Sequence, residues 1–111
     1  MRPGFDNMRE KHIMNIIKNQ EGTTLTIKLD DRLDTITAPQ MDADLKSCLD
    51  GVETLIWDFS NLEYITSAGL RTLMNTQRTM SSKGTMKIIH ANETVKGVFE
   101  LTGLDDMLEE E

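Results

Sequence analysis

Val52-Glu53-Thr54-Leu55-Ile56-Trp57-Asp58-Phe59 is apolar nearly throughout, and a helical pattern begins a few residues later at Ser67. A run of this kind predicts a strand covered on both faces, at the centre of a sheet. The helix after it carries Leu70, Leu73, Met74 and Met80 as its inward stripe. A short apolar run, Met86-Lys87-Ile88-Ile89-His90, follows. Strand, helix and strand in succession call for parallel pairing through a right-handed crossover. Between the central strand and its helix lies a polar loop that ends in two hydroxyl residues, Thr66 and Ser67.

The flanking segments extend this unit. Residues 1–12 are polar and aperiodic and read as a flexible N-terminal tail. Ile13 to Lys18 is a first strand, Asn19-Gln20-Glu21-Gly22 a turn, and Thr23 to Leu29 a second strand with Leu25, Ile27 and Leu29 on one face. Asp30 to Thr37 reads as a loop, with Thr37 capping the next helix and Pro39 in its first turn. Met41, Leu45, Cys48 and Leu49 form that helix's apolar stripe, which Asp50-Gly51 stops. Asn92 caps a last helix through Leu101, with Val95, Val98, Phe99 and Leu101 as its apolar residues. Thr102-Gly103 breaks it before a final turn at Leu104, Met107 and Leu108. The order is β-β-α-β-α-β-α. It predicts an α/β fold: a single domain over residues 13–108 with a mixed four-stranded sheet and helices mainly on one face. Residues 109–111 form an acidic end.

The size suits one core, since 111 residues are few for two domains. Twelve Lys and Arg against 19 Asp and Glu give a net charge of −7. That balance argues against nucleic acid and against an anionic membrane surface, both of which need clustered cations. It suits a partner with a basic face. No stretch approaches the roughly 18 apolar residues of a membrane helix. The lone Cys48 fits a reducing, cytoplasmic setting.

Enzyme signals are weak. His12 and His90 have no partners at metal-ligand spacing, and Cys48 sits on an apolar stripe. There is no phosphate loop, dinucleotide fingerprint or nucleophile elbow. No catalytic residue, cofactor or metal is expected. The junction at Thr66-Ser67 remains. A helix start accepts anionic charge, and Ala68 and Gly69 leave the backbone approachable. The plain alternative is that Thr66 or Ser67 only caps the helix, worth about 1 kcal/mol.

Asp58-Phe59-Ser60-x-Leu62-x-Tyr64-Ile65-Thr66-Ser67-Ala68-Gly69-Leu70 resembles the signature of STAS domains of the anti-sigma factor antagonist family. Three further stretches agree. Arg32-Leu33-Asp34-Thr35-x-Thr37-Ala38-Pro39 is similar to that family's loop after the second strand. Val52-x-x-Leu55-Ile56-Trp57-Asp58 is similar to its central strand. Val95-x-x-Val98-Phe99-Glu100-Leu101-Thr102-Gly103-Leu104-Asp105 is similar to its third helix and following turn. The resemblance spans Met14 to Leu108.

This resemblance implies a partner switch. The unphosphorylated antagonist binds an anti-sigma factor that is also a serine kinase of the GHKL ATPase type, freeing the sigma factor. Phosphorylation of the serine, here Ser67, releases the complex, and a PP2C-type phosphatase resets it. Partner contacts are implied at Asp34, Thr35, Thr37, Thr66, Ser67, Ala68, Gly69 and Arg71. The free protein is expected to be a monomer. The chain departs from the family twice. Thr66 stands where Asp often precedes the serine, which makes Thr66 a minor candidate acceptor. Asp31 stands where Gly is usual, and Asp tolerates a left-handed backbone better than most residues. The alternative reading is a non-enzymatic STAS subunit, structural or ligand-sensing, of a transporter or signalling complex.

Overall fold

The computed structural model describes residues 15–108. The elements are β1 (Ile16–Glu21), β2 (Thr24–Leu33), α1 (Ala38–Cys48), β3 (Thr54–Ile65), α2 (Ser67–Ser81), β4 (Thr85–Ile89) and α3 (Glu93–Leu101). A 3-10 turn follows at Asp105–Met107. One four-stranded sheet has the order β1-β2-β3-β4. β1 pairs antiparallel with β2, and the other pairs are parallel. The predicted mixed α/β sheet is therefore the observed one.

Alternation builds the core. Leu25, Ile27 and Leu29 of β2 are buried, as are Leu55, Trp57 and Phe59 of β3. Their intervening neighbours are half-buried. β3 is central in order, but its cover is complete on one face only, contrary to the expectation from its apolar run. Ile56 on the other face remains half-buried. Met41 and Leu45 of α1, Leu70, Leu73 and Met80 of α2, and Val95 and Phe99 of α3 all join the same cluster. The rings of Trp57 and Phe59 stand 6.2 Å apart at 54° within it, a tilted arrangement favoured by ring quadrupoles.

Several boundaries differ from the sequence reading. β1 runs on to Glu21, and the turn falls at Gly22, whose φ is 63°. Ile13 and Met14 of the predicted first strand lie outside the described residues. The larger correction concerns β2 and β3. β2 continues to Leu33 and β3 to Ile65, through segments expected to be loops. Their pairing slips twice, between Lys28 and Asp30 and between Asp31 and Arg32, and β3 supplies the extra residue each time. Each slip is a β-bulge, which bends the strand and strengthens its twist. The bulges turn the burial period of β3 from two to three, so Phe59, Leu62 and Ile65 all face inward. Asp31 takes φ 71° at this irregularity, the left-handed conformation that glycine would adopt most cheaply.

Two predicted inward residues are exposed. Met74 is 41% exposed and Leu101 89%. Cys48 is half-buried, and burial pushes its thiol up from the ordinary value. Asn92 caps α3 as expected, accepting from the Val95 amide at 2.8 Å. No described helix is long and apolar enough to cross a membrane.

Candidate functional site

Helix α2 begins where β3 ends. Thr66 is its cap residue, with extended backbone at φ −110° and ψ −179°. The Leu70 amide donates to the Thr66 carbonyl at 2.9 Å, closing the first helical turn. The amides of Ser67, Ala68 and Gly69 precede that first helical bond. Ser67, the first helical residue, is exposed. The neighbouring Thr66 hydroxyl is different: it is buried and has no hydrogen-bond partner among the described residues. The two adjacent hydroxyls thus differ in accessibility.

The junction is held from below by the end of β2. The Thr66 amide donates to the Leu33 carbonyl at 3.0 Å. Gly69 packs onto the same carbonyl, where a Cβ would stand 2.6 Å from the oxygen. Real Cβ atoms do not approach that closely, so the small residue after Ala68 is what lets α2 sit against β2. Deeper in α2, the buried Thr72 and Thr76 donate their hydroxyls to the carbonyls of Ala68 and Thr72, at 3.4 and 2.7 Å. Their polar atoms are thereby satisfied inside the helix.

The loop after β2 is organised by Asp34 and Thr37. Asp34 Oδ1 accepts from the amides of Ile36 at 2.9 Å and Thr37 at 3.0 Å. Thr37 Oγ1 accepts from the Asp34 amide at 2.8 Å and donates to the Arg32 carbonyl at 2.9 Å. Thr37 is the cap residue of α1 but makes no side-chain cap bond; its hydroxyl ties the loop instead, which corrects the capping role read from sequence. Partial burial raises the Asp34 carboxyl's pKa. The bonds from Thr37 and Ile36, together with the charge of Arg32, outweigh that effect and hold it below the ordinary value. Arg32 Nε lies 3.7 Å from Asp34 Oδ2.

The sequence-predicted site residues fall into two sets. Thr35, Ser67 and Arg71 are exposed, and Asp34 is half-buried. Thr37 and Gly69 are buried, while Thr66 and Ala68 are half-buried, so these four shape the surface more than they present it. Two surface residues were missed. Ile36, 50% exposed, is an apolar residue in a polar loop, a signal that was present. Met74 could not be found that way, because it falls on the helix's apolar stripe. It lines a groove of about 330 Å³ with Ser67, Leu70, Arg71, Thr102 and Leu104.

A second cleft lies over the bulges, lined by Asp30, Asp31, Ser60, Asn61, Leu62, Glu63 and Asn92. Asn92 Nδ2 donates to the Leu62 carbonyl at 3.1 Å and so fixes the start of α3 to β3. Among the described residues no group of three His, Cys, Asp or Glu is placed to hold a metal. His90 Nδ1 stands 3.1 Å from Asp58 Oδ1, which gives that histidine a structural partner.

A presented hydroxyl at a strand-to-helix junction, braced by a second loop and flanked by an open groove, is a surface suited to a macromolecular partner. The family to which this arrangement belongs follows from comparison. The STAS domain family model matches residues 15–110, and the chain belongs to that family. Solved structures share the fold. The anti-sigma factor antagonist SpoIIAA in its unphosphorylated form aligns with a TM-score of 0.78 and 23% identity over 86% of each chain. The Bacillus cell fate determinant SpoIIAA in its phosphorylated form gives 0.70 and 22%, covering 86% of this chain and 89% of that one. An anti-sigma factor antagonist from Mycobacterium paratuberculosis gives 0.76 and 20%, over 86% and 82%. No curated protein sequence matches the chain.

Proposed function

We propose that the protein is an anti-sigma factor antagonist that works by partner switching in the cytoplasm. Unphosphorylated, it binds an anti-sigma factor that is also a GHKL-type serine kinase, and so frees the sigma factor for transcription. The kinase then transfers the γ-phosphoryl group of ATP to Ser67 Oγ, with loss of the hydroxyl proton and release of ADP. The phosphorylated antagonist dissociates, and a PP2C-type phosphatase removes the phosphate by hydrolysis. The observation that carries this reading is the exposed Ser67 at the first position of α2, beside a Thr66 hydroxyl that is buried. The fold shared with structures described as anti-sigma factor antagonists supports it.

The electrostatics suit a switch. A phosphate adds about −1.5 to −2 charge. At the start of a helix that charge meets free amides and the positive end of the dipole. In a desolvated interface the same charge is costly. Binding is lost while the domain stays folded.

The test is phosphorylation by a GHKL-type anti-sigma factor kinase with ATP, followed by mass-spectrometric mapping. One phosphate on Ser67, and none on Ser67→Ala, is expected. Phosphate on Thr66 alone overturns the site. Ser67→Asp is expected to bind the kinase more weakly than wild type, and equal affinity sinks the switch. The alternative reading, a structural or ligand-sensing STAS module, draws on a similar fold within the murine anion transporter Slc26a9. That match has a TM-score of 0.59 and covers 81% of this chain but 16% of the transporter. It predicts no phosphate at any position.

A further inference from the structure

Arg71 stands four residues after Ser67 in α2, the spacing that puts two side chains side by side on a helix surface. Both line the same groove, whose apolar part is Leu70, Met74 and Leu104. Arg71 is exposed and makes no ion pair or hydrogen bond within the described residues. Arg32, the cation near the end of β2, is already engaged, 3.7 Å from Asp34 and 3.9 Å from Asp31. Asp105 and Asp106 follow Leu104 in the chain, and the ion pairs among the described residues include none between either of them and Arg71. An uncommitted guanidinium therefore sits one turn from the hydroxyl that is to be modified.

We propose that Arg71 is the phosphate-positioning residue of the modified protein: its guanidinium pairs in cis with phospho-Ser67 and draws the phosphate across the mouth of the groove. The inference rests on the Ser67 reading and adds to it a regulatory device. A helix start supplies a field and amides but does not choose a side-chain direction. A guanidinium does choose one, because its planar fork matches phosphate oxygens two at a time. Once paired, the phosphate lies over Leu70, Met74 and Leu104, and Arg71 ceases to be available to a partner. Modification then removes two docking features, an open apolar slot and a free cation, as well as adding charge.

The experiment uses the full chain with phosphoserine installed at position 67 during synthesis, so that it reads the pair whether or not any kinase acts. The phosphate's second ionisation is followed by phosphorus NMR in wild type and in Arg71→Ala. It should rise by about 0.3 pH unit in the variant at low salt, the size of one helical ion pair. Arg71→Lys should recover part of the difference. Peroxide oxidation of Met74 supplies the second readout, because that residue is 41% exposed. Phosphoserine should slow it in wild type and not in Arg71→Ala. Superimposable phosphorus titrations overturn the pairing. Equal Met74 oxidation with and without phosphate overturns the closing of the groove. A kinase assay that finds no phosphate on Ser67 is a separate failure, of the functional reading.

Discussion

Gly69 lies against the carbonyl of Leu33 so closely that a Cβ at position 69 would stand 2.6 Å from that oxygen and 2.8 Å from Ile65 Cγ1. The contact joins the start of α2 to the end of β2. It makes the Ser67 junction and the Asp34 loop parts of one surface. The same carbonyl also takes the Thr66 amide, so it cannot retreat without breaking a hydrogen bond.

Gly69→Ala should accordingly destabilise the domain by about 1–3 kcal/mol, the usual range for overpacking. Gly97 provides the contrast. It lies within α3, and nothing comes within 4 Å of the place its Cβ would occupy. Gly97→Ala should stabilise by about 0.5–1 kcal/mol, because only the helical preference for alanine acts there. Urea unfolding of the two variants checks both signs. A neutral Gly69→Ala shows that α2 can move away from Leu33, against the rigid arrangement described above.

Asp31 holds φ 71° beside a bulge. A left-handed backbone costs an L-residue roughly 1–2 kcal/mol, less for Asp, and its 3.9 Å contact with Arg32 is an exposed pair worth little. Asp31→Gly removes the strain but gives the unfolded chain more freedom. The net expectation is a gain of about 0.5 kcal/mol. A thermal melt that shows a loss instead assigns Asp31 a stabilising contact beyond its backbone.

The element order and the core were legible because they rest on simple periods. Leu25, Ile27 and Leu29 alternate, and Met41 and Leu45 fall one helical turn apart. The ends of β2 and β3 were not legible. A bulge adds a residue without changing composition, so Ser60 to Thr66 looks like a polar loop although Phe59, Leu62 and Ile65 point inward every third residue. Local chemistry in the sequence left Ser67 as one of two hydroxyls at a helix start, and only the family resemblance singled it out. What separates it from Thr66 is burial. That depends on how the Thr66 amide and Gly69 dock on Leu33, a contact between residues more than thirty positions apart. Arg71 and Met74 were visible as helix positions, but the groove they share needs Thr102 and Leu104 from the turn that follows α3.

Asp34 gives a pH dependence of definite sign. Its carboxyl is held below the ordinary value in the folded protein, since bonds from Thr37 and Ile36 and the charge of Arg32 outweigh burial. A depressed folded value means that the group contributes stability above its unfolded value of 3.8. That contribution is lost as pH falls through the lower folded one. Asp34→Ala should therefore cost about 1 kcal/mol at pH 7, the scale of a lost loop hydrogen bond. The difference from wild type should shrink as pH falls below about 4. Urea titrations at pH 7 and at about pH 3 test this. A constant difference between the two shows that Asp34 acts through packing and not through its charge.

Thr66 combines a buried hydroxyl that lacks a partner among the described residues with a position where its side chain does no capping. A buried polar atom left without a hydrogen bond costs about 1–3 kcal/mol. Valine keeps the shape and the branched Cβ while removing that atom. Thr66→Val should therefore stabilise the domain by about 1 kcal/mol in urea unfolding. The same variant separates the two hydroxyls chemically. Under the functional reading it should still accept one phosphate from the kinase, at Ser67, at a rate close to wild type. A destabilised Thr66→Val shows that the hydroxyl is bonded after all. A stable variant that is no longer phosphorylated shows instead that Thr66 takes part in the transfer.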